Sequence, residues 1–289
     1  MTREYRLRDA ATHRLTELIK LTKIAAGGRT GRGPSCLCCD EVWSGALELI
    51  RGKEKIAIIS GFYIPSASAP ETDGPAGAIV LARALSRMGH QAEVWTDSYC
   101  LNCFAACGRS IGWPDGLVRD VSSDPGGAPA ADLYIYIERP GRAADGAYYN
   151  MRKEDISRWT PALDCFATSG GAPVLGIGDG GNEVGMGRIA ALLREVMPDY
   201  AECLCVVGSD ICIPVDVSNW GAFALTSALS SMEGVWLGQS EAEDRMMFEA
   251  LCEVGAVDGV TLERSLSVDG LGIDEHLRVR RLLEGLVSA

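Results

Sequence analysis

With 289 residues and 47% hydrophobic side chains, the chain can bury a substantial core, which excludes a disordered polymer, and its length suits one large domain or two small ones. Its 39 acidic against 27 basic side chains leave a formal charge of −12, and no run of Lys and Arg forms a stripe able to follow phosphates, so nucleic acid is not expected as a partner. The opening MTREYRLRDA lacks the apolar stretch of a secretory signal, and no later segment gives the ~20 unbroken apolar residues of a membrane span, so a cytoplasmic protein with no membrane partner is expected.

In chain order, the first 52 residues predict a helical extension: a helix over 4–25, a Gly/Arg loop over 27–35 and a helix over 40–51 with Asp40 as its N-cap. Five apolar, β-branched runs then end in glycine or an acid: KIAIISGF (55–62), AEVWTD (92–97), LYIYIE (133–138), PVLGIGDG (173–180) and CLCVVGSD (203–210). Each is short and almost continuously hydrophobic, as strands covered on both faces are. Between them GAIVLARALSRMG (77–89), stopped by Gly89, and EDISRWTPALDCFATSG (154–170) predict helices, and further helices follow over 219–231, 240–254 and 274–287. Strand alternating with helix implies a doubly wound α/β fold with a mostly parallel sheet and helical additions at both termini. Residues 53–289 form its core, and the whole chain, 1–289, reads as a single domain. The one internal echo is Val257-Asp258-Gly259 with Val268-Asp269-Gly270.

Eleven cysteines fall largely into three groups: Cys36, Cys38 and Cys39; Cys100, Cys103 and Cys107; Cys203, Cys205 and Cys212. The last group lies along or beside a predicted strand, where thiols act as small hydrophobes. In the first two, only Cys100 and Cys103 have C-x-x-C spacing and the chain has three histidines, so unligated thiols are expected over a metal–thiolate site.

The acids are more informative. In doubly wound sheets, ligands bind beyond the carboxyl ends of the strands. Asp97, Glu138, Asp179 and Asp210 each end a predicted strand, and Glu71 and Asp73 lie in the loop after the first. Singly, each reads as a turn or cap residue. Together they imply converging carboxylates, which raise one another's proton affinity and call for protons or cations. Oxygen donors without His or Cys favour Mg²⁺ or Mn²⁺. GIGDGGNEVGMG (176–187) fits such a site: its glycines let backbone approach a ligand, and Asp179, Asn182 and Glu183 supply oxygen. The same stretch formally satisfies G-x-G-x-x-G, but it follows the fourth predicted strand and sets Asp179 where a pyrophosphate would sit, so no dinucleotide is expected.

Several longer blocks are familiar: Glu71-Thr72-Asp73-Gly74-Pro75, Ile137-Glu138-Arg139-Pro140-Gly141, Tyr149-Asn150-Met151-Arg152, GIGDGGNEVGMG, Val217-Ser218-Asn219-Trp220-Gly221 and Gly255-Ala256-Val257-Asp258-Gly259. Over most of its length the chain resembles the D-glutamate cyclase-like family, specifically its C-terminal domain. The cysteine-rich segments fall outside the shared pattern. The resemblance implies a Rossmann-like domain and a metal-dependent lyase that converts D-glutamate to 5-oxo-D-proline and water. For that chemistry Glu71, Asp73, Asp179 and Glu183 are the expected ligands of Mg²⁺ or Mn²⁺. Glu138 is a further ligand or the base, acting with Asp179 and Glu183 in catalysis. Arg139 and Arg142 are expected to grip the substrate's α-carboxylate, and Asn182 and Asn219 to orient oxygens. Trp220 reads as core. Two other classes stay open, a metal-dependent phosphohydrolase of a small phosphorylated metabolite and a non-catalytic sensor of a small anion; a homo-oligomer is compatible with either.

Overall fold

The computed structural model describes residues 13–17, 33–121, 130–169 and 171–287. Among these, six strands form the central sheet: β1 (Lys55–Ser60), β2 (Gln91–Thr96), β3 (Val118–Asp120), β4 (Leu133–Ile137), β5 (Val174–Gly178) and β6 (Ile211–Pro214). Every ladder in it is parallel and the order is β3-β2-β1-β4-β5-β6. Ile58 of β1 lies opposite Val94 on one side and Ile135 on the other. β4 and β5 are buried throughout and β1 all but its first residue, because helices cover both faces of the sheet. The strand order reverses between β1 and β4, which places the ligand crevice beyond the carboxyl ends of those two strands.

The helices around the sheet, among the described residues, are α1 (Asp40–Ile50), α2 (Pro75–Arg87), α3 (Leu101–Ser110), α4 (Cys165–Ser169), α5 (Ala190–Val196), α6 (Ser218–Glu233), α7 (Glu241–Glu253) and α8 (Ile273–Gly285). α2 starts on Pro75, whose missing N–H costs nothing in a first turn, and its residues Pro75 to Leu85 are all buried. Small residues let α6 lie directly against it: a Cβ on Gly77 would stand 2.9 Å from that of Ala222. α6 stops at Gly234, in the left-handed region at φ 69°, and α7 opens with a capping box between Ser240 and Glu243. The terminal helices share the main core, since Trp43 of α1, Phe248 of α7 and Val279 of α8 join the cluster built on α2 and α6. Burying one such aromatic side chain contributes about 2 kcal/mol.

Four expectations are corrected. The apolar run 203–210 is not a strand: it lies along the glycine-rich loop, with Cys205 N–H donating to Gly181 O (2.9 Å) and Gly185 N–H to Val207 O (2.9 Å). The edge strand β6 begins only at Ile211, so Asp210 sits at its amino end, where it accepts from Val174 N–H (2.8 Å), on the far edge from the crevice. The helix expected over 154–170 is broken near Pro161 into a 3-10 turn (Ser157–Trp159) and α4. Asp40 is the first residue of α1 and Cys39 is its N-cap. In addition, β3 is a three-residue edge strand, too short to carry a periodic signal. Most of the helix expected over 4–25 lies outside the described residues; 13–17 are helical, and Thr16 accepts a hydrogen bond from the Trp43 indole (3.1 Å). Among the described residues no helix is long and apolar enough to cross a membrane.

Candidate functional site

The loop after β1 is held in place before it supplies any acid. Glu71 N–H donates to Phe62 O (3.0 Å) and Thr72 N–H to Val257 O (2.9 Å), which seats the 255–259 segment over the crevice. Asp73 then reaches the first turn of α6: its Oδ2 accepts from Ser218 N–H (2.7 Å), and its Oδ1 accepts from Asn219 N–H (2.7 Å) and Gly74 N–H (3.0 Å). Asn219 returns the contact, its Oδ1 accepting from Gly77 N–H (2.7 Å) and Gly74 N–H (3.2 Å) and its Nδ2 donating to Thr72 O (3.0 Å). Two helices therefore cap each other across the crevice and direct both positive ends at the same spot.

Glu138 follows β4 directly with φ 44°, a left-handed conformation that a non-glycine residue holds only when its surroundings impose it. Its Oε2 accepts from the Ser218 hydroxyl at 2.5 Å. Asp179 follows β5. Asp73, Glu138 and Asp179 each offer a carboxylate oxygen, and these atoms lie within 4.8 Å of one another, all three residues being buried.

Glu183 serves a different purpose. It accepts from Gly180 N–H (2.7 Å), Gly181 N–H (2.8 Å) and, more weakly, Asp179 N–H (3.4 Å), so both its oxygens hold the glycine-rich loop. The loop wraps this carboxylate so tightly that a Cβ on Gly178 would stand 2.8 Å from Glu183 Oε2. Asn182 donates to Tyr149 O (2.8 Å), which fixes its amide orientation and leaves Oδ1 buried without a hydrogen-bond partner among the described residues.

These groups meet a cavity of about 30 Å³, with Phe62 and Ile64 on its apolar wall and Glu71, Glu138, Asp179, Asp269, Asn182 and Arg152 among its polar ones. That space suits an ion with a water molecule. A larger cavity, about 580 Å³, opens near the amino ends of β1 and β2 beside Lys55, His90 and Gln91; it lacks the convergent acids, and the site is assigned by them.

Burial pushes the Asp73 carboxyl well above its ordinary value, the charge on Asp269 adds to this, and the three amide donors only partly oppose it. Glu138 is raised in the same way, first by burial and then by Glu183, Glu71 and Asp73, with the Ser218 hydroxyl pulling the other way. The cluster thus carries more negative charge than its surroundings satisfy, and its hard oxygen donors match a divalent cation.

Of the residues expected from the sequence to form the site, Asp73, Glu138 and Asp179 converge, and Glu71 lines the same cavity, where a Cβ on Gly259 would run into its Oε2. Asn182 is on the wall, Glu183 supports the loop, and Asn219 ties the two helices. Arg139 and Arg142 lie elsewhere. The buried Arg139 guanidinium pairs with Asp97 and donates to Gly61 O (3.1 Å) and Pro161 O (2.5 Å); Arg142 pairs with the buried Asp164 (3.1 Å). Asp97 is thereby drawn out of the cluster despite ending β2. Two residues of the site, Asp269 and Ser218, are not among those the sequence points to. The echo of the two Val-Asp-Gly triplets draws the eye to Asp269 but assigns it no role. In the structure Asp258 organises the turn, accepting from Val260 N–H (2.9 Å) and Gly270 N–H (2.8 Å), while Asp269 faces the cavity.

Fold and site define a doubly wound α/β protein with a buried carboxylate centre at the switch in strand order. The particular family follows from comparison with known proteins: the chain belongs to the D-glutamate cyclase-like family, whose C-terminal-domain model matches residues 21–284. Human "D-glutamate cyclase, mitochondrial" is 31% identical over 245 residues, covering 76% of this chain and 39% of the human protein, so the chain spans about two fifths of that relative. A solved structure of an exopolyphosphatase-related protein from Bacteroides fragilis superposes with a TM-score of 0.44 at 10% identity, over 86% of this chain and 57% of its own.

Proposed function

We propose that this chain is a divalent-cation-dependent D-glutamate cyclase, which converts D-glutamate to 5-oxo-D-proline and water. The observation that carries the reading is the buried triad of Asp73, Glu138 and Asp179, with its oxygens within 4.8 Å of one another, in a chain of the D-glutamate cyclase-like family. Those three would hold Mg²⁺ or Mn²⁺, and Oδ1 of Asn182, which has no hydrogen-bond partner among the described residues, belongs to the lining of the same cavity. A bound ion supplies Lewis-acid polarisation of the γ-carboxylate and offsets the charge that develops on it.

The chain's own groups do the rest. Cyclisation joins the α-nitrogen to the carbon of the γ-carboxylate, Cδ, and the two protons that the ammonium gives up leave with one oxygen of that carboxylate as water. The reaction is neutral overall and needs a group that moves protons a short distance. Glu138, whose proton affinity burial raises and whose Oε2 the Ser218 hydroxyl orients, suits that role. Phe62 and Ile64 shield the reacting carbon from bulk water.

The test is formation of 5-oxoproline from D-glutamate by the purified protein with Mn²⁺ or Mg²⁺, alongside Asp179→Ala and chelator-treated samples. Turnover that depends on both the ion and Asp179 is expected. A folded protein that forms no 5-oxoproline with either ion, or that turns over unchanged after chelation, defeats the proposal.

A further inference from the structure

The D-glutamate reading leaves one group without a partner, the substrate's α-carboxylate. Only the γ-carboxylate reacts, so the other must be held apart from the ion, outside the small enclosed space, at the open side of a cavity whose walls carry Glu71, Glu138, Asp179 and Asp269. Such walls repel an anion unless a fixed cation faces it. The arginines of the Glu138-Arg139 block are spent elsewhere, Arg139 on Asp97 and Arg142 on Asp164. Among the described residues, the one cationic side chain on the cavity lining is Arg152.

Its bonding is unusual for an arginine beside so many acids. The guanidinium pairs with no carboxylate among the described residues; Nη2 donates to the carbonyl oxygens of Gly259 (2.8 Å) and Val260 (3.2 Å). These contacts set the group across the cavity mouth, on the turn that presses against Glu71, and leave the N–H donors of Nε and Nη1 for a ligand. The supporting loop is pre-organised too, because the buried Asn150 accepts from Arg152 N–H (2.9 Å) and Glu154 N–H (3.0 Å) and donates to Glu154 Oε2 (2.7 Å). Carbonyl partners hold a guanidinium in place without neutralising it, so it keeps its full charge for an incoming carboxylate.

We propose that Arg152 binds the α-carboxylate of the substrate and makes the site selective for α-amino dicarboxylates over amino acids that lack this group. The inference rests on the cyclase reading, and the experiment separates the two. 4-Aminobutanoate is D-glutamate without its α-carboxylate. In wild-type protein with Mn²⁺, D-glutamate kinetics and the inhibition constant of 4-aminobutanoate are measured, then repeated for Arg152→Gln and Arg152→Lys. For Arg152→Gln, kcat/KM for D-glutamate is expected to fall on the order of 10- to 100-fold, mostly through KM, the range for losing a charge-assisted hydrogen bond. The lysine variant keeps the charge and should lose less. Inhibition by 4-aminobutanoate should stay within about twofold in both variants, because that ligand has nothing for the guanidinium to hold. Equal losses for the two ligands would mean that Arg152 only shapes the mouth, and an unchanged KM for D-glutamate would mean that it touches no substrate; either result overturns this inference and leaves the cyclase reading standing. Wild-type protein that neither binds nor converts D-glutamate overturns both.

Discussion

Asp73 caps α6 and belongs to the carboxylate triad, and the substitution Asp73→Asn separates those two roles. The amide is nearly isosteric. Its oxygen, placed at the Oδ1 position, keeps the bonds from Asn219 and Gly74 (2.7 and 3.0 Å), while its nitrogen meets Ser218 N–H donor to donor where Oδ2 accepted at 2.7 Å. One buried N–H left without an acceptor costs about 1–3 kcal/mol. For a chain of this size that lowers Tm by roughly 2–12 °C in chelated samples, at about 2–4 °C per kcal/mol. The effect on the ion is separate. With free Mn²⁺ at about 100 times its dissociation constant, wild-type protein gains about 2.7 kcal/mol; a 100-fold weaker site gains about 0.4 kcal/mol. Thermal unfolding with and without Mn²⁺ should therefore show a small loss in chelator and the near-disappearance of the ion-dependent rise. An Asp73→Asn protein that keeps the full Mn²⁺-dependent rise would refute Asp73 as a ligand, whatever its basal Tm.

The raised proton affinities of Asp73 and Glu138 give the ion-free protein a characteristic pH response. A carboxyl whose folded pKa lies above its unfolded value of about 4 stabilises the fold fully below that value and loses the contribution as pH rises through the folded pKa. Chelated protein should thus lose Tm as pH rises above the ordinary carboxylate range of about 4, with Mn²⁺ restoring more as the pH rises; a chelated Tm that climbs steadily from there would contradict the assignment. Arg139→Ala should act on stability, since it strands Asp97 as an unpaired buried charge: about 3–5 kcal/mol, or roughly 6–20 °C in Tm, with the KM for D-glutamate of the folded fraction nearly unchanged. A tenfold rise in KM without a fall in Tm would return Arg139 to the substrate.

The sequence announces the sheet because strands covered on both faces leave a plain signature, and KIAIISGF, LYIYIE and PVLGIGDG each contain one. CLCVVGSD has the same composition and is not a strand. Cys203, Leu204, Cys205 and Val207 are buried against the glycine-rich loop and its surroundings and not within a ladder, while Val206 faces out, and hydrophobicity says that a segment is covered without saying by what. The acids follow the same logic. That Asp73, Glu138 and Asp179 converge is readable from their places after predicted strands. That Glu183 bonds to Gly180 and Gly181, and Asp97 to Arg139, is not, because those partners are set by loop geometry a few residues wide. Arg152 belongs to a familiar block, but its role appears only once the chain brings residue 259 back over the first loop.

A carboxylate that accepts two or three backbone N–H bonds is usually held strongly ionised, its pKa pulled well below the ordinary carboxylate range. Asp73 accepts three and is nonetheless raised, so burial and the charge on Asp269 outweigh the first turns of two helices. The backbone around Asp73 can therefore fix its position without satisfying its charge. A buried carboxylate with no cation of its own destabilises the fold, and Asp97, at the end of the neighbouring strand β2, shows the usual remedy in Arg139. No arginine forms an ion pair with Asp73 or Glu138 among the described residues, and Arg152 is tied to carbonyls at the cavity mouth. What remains to balance Asp73 and Glu138 is a proton or a cation from solution, and a group that must alternate between the two as substrate arrives is placed where the proposed cyclisation, which moves two protons, needs it.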